Sequence, residues 1–221
     1  LTTGAWLGSI FTEFDRSLYI WGVLVSPVLG VLALFSFLWM INPILGSKEN
    51  GVAGLLFVTQ ISIMASFIAG RADHQSLILL FFILAIGIGL RMLVRPFSRQ
   101  TCYLAAFLAA LAIWVSVESI LFPLLTIFAF GLFWLLGNPG ITRKLVHYST
   151  TLFLLLIFFR LIEFGPSRLT EPTLDQISIV YITLFGLIAL FWTLVNLAER
   201  HSEKSKRLSI RLISAIVWAA G

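Results

Sequence analysis

The chain has 221 residues, 59% of them hydrophobic and only 11% charged, with a mean hydropathy of +1.02. Soluble domains carry about 25% charged residues, so this composition excludes an ordinary globular protein and indicates repeated membrane spans. The net charge of +5 does not indicate a nucleic-acid partner, because the basic residues follow membrane topology, and a single cysteine, Cys102, excludes an internal disulfide or a cysteine-based metal site.

A span needs roughly 20 apolar residues to cross about 30 Å of hydrocarbon. The long unbroken Leu/Ile/Phe runs require helices and exclude the alternating pattern of a barrel. Residues 1–16 read as an outer-face loop, and 17–221 as one all-α, polytopic transmembrane helical bundle. In chain order, spans are predicted at 17–40, 51–69, 76–94, 102–117, 119–137, 146–163, 177–197 and 208–221. The fourth is short and joins its neighbour through Val117-Glu118-Ser119, so seven to eight spans are expected. The chain opens at Leu1 without a methionine or signal peptide and stops inside an apolar run at Gly221, which reads as a piece of a longer membrane protein.

Charge sets the sidedness. Segments 41–50, 91–101, 138–149 and 198–211 hold 11 of the 15 Lys and Arg residues; the opposite connections keep only Arg16, Arg71, Arg160 and Arg168. The positive-inside bias puts the first set in the cytoplasm. The link 70–75 then faces outward, in an integral multi-pass protein of the bacterial inner (plasma) membrane. Seven acids share that outer face: Glu13, Asp15, Asp73, Glu118, Glu163, Glu171 and Asp175. Most are ordinary loop acids, but Asp73 sits in a link too short to be a freely solvated loop.

That link reads Gly70-Arg71-Ala72-Asp73-His74-Gln75. It is either a polar turn, with Gly70 ending one helix and Asp73 capping the next, or part of a hard-cation site built from carboxylate, amide and imidazole donors. Residues 21–80 resemble the oligosaccharyltransferase catalytic subunits of the GT-C glycosyltransferase superfamily. The resemblance rests on the Pro27-to-Gly30 step, the "VAGLL" of 52–56 and the outer acidic motif at 70–75. It implies metal-assisted transfer of sugar from a polyprenyl-phosphate- or pyrophosphate-linked donor at the outer face. Asp73 would hold Mg²⁺ or Mn²⁺, with Gln75 standing where the family has Asp or His and bringing no charge. Arg71 and His74 are candidate substrate-binding residues beside it. The family's first acidic motif would lie upstream of Leu1, and Glu13-Phe14-Asp15 does not match its position.

Farther on, Gly165 and Pro166 break a helix before "Leu169-Thr170-Glu171-Pro172", which resembles the family's later outer-loop motif and makes Glu171 a candidate catalytic residue. Arg160 lies near the outer end of a strongly apolar helix, where a charge is expensive. It is either a snorkelling side chain paired with Glu163 three positions on, or a guanidinium for a lipid-linked phosphate. Glu118 is either a hairpin acid or a wall of the same cavity. His147, near Arg143 and Lys144, reads as interfacial, and the mixed-charge run containing His201 as an orienting, anionic-lipid-contacting connector. The tryptophans and tyrosines near span ends suit an interfacial belt. The expected partners are therefore a lipid-linked sugar donor and membrane lipids. The rival reading is a transporter or channel with Asp73 and Arg160 on its substrate route.

Overall fold

The computed structural model describes residues 13–70, 74–138, 140–173 and 175–201, and every regular element among them is helical. In chain order these are α1 (Phe14–Ile41), α2 (Ser47–Thr59), α3 (Ile61–Met64), α4 (His74–Val94), α5 (Arg99–Val115), α6 (Leu121–Leu135), α7 (Ile141–Phe164) and α8 (Ile179–His201). Short 3₁₀ turns occupy Ala65–Phe67, Val117–Ile120 and Pro166–Arg168. The expected all-α polytopic architecture forms because backbone groups in hydrocarbon must bond within their own segment.

The span count is lower than the expected seven to eight. Five helices are long and apolar enough to cross a membrane, or six if the bent pair Lys48–Thr59 and Ile61–Phe67 makes one span. The run 51–69 is interrupted at Gln60, whose backbone is extended (φ −74°, ψ 104°), and the chain bends there by 64°. The run 102–117 yields the 17-residue α5, which at 1.5 Å per residue is only about 25 Å long. The run 208–221 lies outside the described residues.

The chain forms two compact units, 1–87 and 88–221, with the boundary inside α4. In the first, Ala33 of α1 packs with Phe57, Phe67, Leu80 and Ile83, and Phe37 stacks on Phe57 with ring centroids 4.7 Å apart. In the second, α7 is the central element, flanked by α5, α6 and α8. Leu145, Tyr148, Leu152, Leu156 and Phe159 recur at helical spacing on its buried face, and α5 contributes Cys102, Ala105, Ala106, Ala109, Ala110 and Ile113 to the same core. Small side chains let helices approach closely where lipid supplies no hydrophobic drive for association.

The basic end of this second unit is fastened by polar groups. Lys144 of α7 donates to the carbonyls of Met92 and Arg95, the latter at 2.8 Å. It thereby caps the C-terminus of α4, where unpaired carbonyls attract a cation. Glu199 of α8 accepts from Trp134 Nε1 and from Thr142 Oγ1, both at 2.9 Å, tying together α6, α7 and α8.

Candidate functional site

In the first unit, local chemistry fixes where the link 70–75 begins. Pro27 lies inside α1 and has no N–H, so the carbonyl of Val23, four residues earlier, loses its helical donor. The Gly70 N–H donates to that carbonyl at 3.2 Å. Gly70 does so with φ +81°, in the left-handed region that glycine enters at little cost. Gly30, one turn after Pro27, lies against the Phe67 ring; a Cβ there would approach it to 3.0 Å. The Pro27-to-Gly30 step thus joins α1 to the segment that leads into the link.

Arg71 and Asp73 lie outside the described residues. His74 and Gln75 open α4 and are exposed, whereas Ser76 beneath them is buried. Their imidazole and amide oxygen are donor types that Mg²⁺ or Mn²⁺ accepts, but neither brings charge. Among the described residues no group of three or more His, Cys, Asp or Glu is placed to hold a metal ion. The charge of such a centre would depend on Asp73.

In the second unit, the acid-rich end brings two of the predicted residues together. Arg160, on the last turns of α7, is fully buried. The Glu163 pairing that sequence spacing suggested does not form: Glu163 accepts instead from Trp114 Nε1 of α5 at 3.1 Å. Gly165, with φ 72° and ψ 176°, ends α7 in a conformation essentially reserved for glycine, and the chain turns back over the helix end. Arg160 Nη2 then donates to the Arg168 carbonyl at 2.7 Å, and its Cζ lies 4.1 Å above the Phe164 ring centroid. Glu171 Oε2 is 3.9 Å from Arg160 Nη2, and its Oε1 is 4.0 Å from Arg168 Nε. Those distances are electrostatic contacts, not hydrogen bonds.

Arg160 Nε and Nη1 are buried without a hydrogen-bond partner among the described residues. A guanidinium carries five N–H donors, and leaving buried donors unmade costs about 1–3 kcal/mol each, more for a charged group. The same end of the unit holds other buried hydroxyls without a partner among the described residues, those of Ser119, Thr173 and Ser178. It also contains a cavity of about 440 Å³ lined by Ser116, Val117, Glu118, Ile120, Asp175 and Tyr181. Sequence reasoning found Arg160, Glu171 and Glu118. It did not single out Asp175 or Tyr181, and the shared sidedness of Glu118 and Asp175 was the only signal that could have paired them.

Comparison of the chain with protein-family models, characterised proteins and solved structures returns no match.

Proposed function

We propose that this chain belongs to a membrane glycosyltransferase that moves sugar from a polyprenyl-phosphate- or pyrophosphate-linked donor at the outer membrane face. The observation that carries the reading is Arg160, a fully buried guanidinium whose Nε and Nη1 have no partner among the described residues. A planar fork of donors matches a phosphate better than it matches any single acceptor. When the bond between the anomeric carbon and the phosphate oxygen breaks, negative charge grows on the leaving group. Donors held in place beforehand stabilise that charge more than they stabilise the intact donor. The Arg168 carbonyl and the Phe164 ring keep the guanidinium plane in position.

Glu171 lies within 4.0 Å of both Arg160 and Arg168. A carboxylate so placed is suited to orienting Arg160 rather than to taking a proton from an acceptor. From the resemblance at 70–75, the proposal assigns Asp73 and Gln75 as ligands of Mg²⁺ or Mn²⁺, with Arg71 and His74 contacting the donor. When bound, such an ion neutralises charge on the departing phosphate. The outer placement follows from the asymmetry of basic residues.

The test is divalent-ion-dependent sugar transfer from a polyprenyl-linked donor, measured in membranes. Asp73→Asn keeps the shape and capping ability of the side chain but removes its charge. Loss of several kcal/mol of charge stabilisation should lower transfer by roughly a thousandfold. Full activity with unchanged metal dependence would reduce Asp73 to a helix cap and remove the metal from the proposal.

A further inference from the structure

At the basic end of the second unit, α5 and α7 leave an open groove of about 490 Å³ lined by Tyr103, Val146, His147, Thr150, Thr151 and Leu154. Its mouth is cationic and aromatic. The Arg143 guanidinium lies 4.1 Å above the Phe97 ring centroid, and the His147 ring meets Phe97 at 5.0 Å and Tyr103 at 6.1 Å. Arg143 is exposed and pairs with no carboxylate among the described residues. His147 Nδ1 lies 2.9 Å from the Arg143 carbonyl; a carbonyl only accepts, so Nδ1 is the donor, and Nε2 donates to a phosphate only in the imidazolium form of the ring.

Deeper in the groove are two hydroxyls, those of Thr150 and Thr151. Thr126 and Thr193 return their hydroxyls to the carbonyls four residues back, at 2.9 and 2.7 Å, the usual solution for a hydroxyl in an apolar helix. Thr150 and Thr151, like Thr183, make no such bond among the described residues, which leaves their hydroxyls available to a ligand. Beyond them Leu154 is exposed. From Arg143 to Thr151 is roughly 12 Å along α7, and Leu154 lies about 4–5 Å farther. A cation, then free hydroxyls, then an apolar wall is the order in which a phospholipid presents its phosphate, its ester carbonyls and its acyl chain.

We propose that this groove is a binding site for one anionic glycerophospholipid, with its phosphate at Arg143 and His147, its esters at Thr150 and Thr151, and an acyl chain along Val146 and Leu154. Charge complementarity selects this occupant: the groove opens at the end of the bundle that carries Arg95, Arg99, Arg143 and Lys144, which the positive-inside rule assigns to the cytoplasmic leaflet, where anionic lipids reside. The site is independent of any transfer reaction.

The test is native mass spectrometry of the full chain released from micelles containing equal phosphatidylglycerol and phosphatidylcholine. Wild type should retain phosphatidylglycerol over phosphatidylcholine by roughly fivefold, the effect of one basic residue at an anionic surface. Arg143→Gln should bring the ratio to unity, Arg143→Lys should restore most of it, and Thr150→Val with Thr151→Val should lower total retention of both lipids. Near-ultraviolet circular dichroism from the Trp134–Trp192 pair, 5.4 Å apart, checks that each variant is folded. No preference in wild type, or a preference unchanged in Arg143→Gln, would overturn the proposal. So would displacement of the lipid by millimolar inorganic phosphate, which would make the ligand a free anion.

Discussion

Lys144 and Arg160 are both buried cations on α7, one near each end of the helix, and their surroundings differ in kind. Lys144 reaches two carbonyls at the end of α4, while the neighbouring Glu199 is closed by Trp134 and Thr142. At the other end Arg160 spends Nη2 on the Arg168 carbonyl, and among the described residues its Nε and Nη1 have no partner, nor have the hydroxyls of Ser119, Thr173 and Ser178. Among the described residues of this second unit the Trp192 indole N–H is the one such atom toward the basic end, and its ring meets Trp134 edge-on. Buried polar networks that are complete rigidify a fold, whereas incomplete ones cost stability and persist where something else is gained. The basic end has the organisation of a fastening; among the described residues the acid-rich end is incomplete, as the proposed phosphate site requires.

Breaking the fastening should have the largest effect on stability. Lys144→Met fills similar volume but strips the donors from the Met92 and Arg95 carbonyls. It should cost about 2 kcal/mol, seen as a lower thermal midpoint in detergent. An unchanged midpoint would mean that Lys144 is as dispensable as a solvated topological lysine.

The acid-rich end depends on the turn that carries Arg168 back over α7. Gly165→Ala imposes φ 72°, ψ 176° on a residue with a Cβ and should cost about 1–2 kcal/mol. Because it shifts the Arg168 carbonyl, it should also reduce any function that depends on the Arg160 geometry. A stability loss without a functional one would separate the turn from the site.

The smallest effect belongs to Glu171→Gln. Its contacts to Arg160 and Arg168 are long, at 3.9 and 4.0 Å, and its side chain is 52% exposed. Such a pair is worth less than about 1 kcal/mol, so the thermal midpoint should barely move. A large fall in transfer would instead give Glu171 the catalytic part that its resemblance implies.

Local sequence predicted the elements better than their partners. Apolar runs located the helices because hydrocarbon leaves the backbone no other solution, but 51–69 looked continuous: only Thr59, Gln60 and Ser62 interrupt its apolar character near the bend. Pro27 and Gly70 were visible as punctuation, yet nothing local says that one frees the carbonyl the other takes. Arg160 stood out as a charge at membrane depth. Its spacing to Glu163 suggested the wrong partner, because Trp114 arrives from 49 residues away to claim that carboxylate. Lys144 read as one more basic residue near an interface; its burial depends on α4 ending beside α7. The cavity holding Glu118, Asp175 and Tyr181 is likewise made by segments far apart in the chain.

The proposed role of Arg160 is tested most directly by Arg160→Leu, with polyprenyl-phosphate affinity and thermal midpoint measured on the same purified protein. The leucine removes a buried charge whose donors are only partly paired, so the midpoint should hold or rise. Affinity for the lipid phosphate should fall by at least tenfold, since a charge-assisted hydrogen bond is worth about 1.5–3 kcal/mol. Unchanged affinity in the leucine variant would contradict the proposal and leave Arg160 a structural residue held by Arg168 and Phe164.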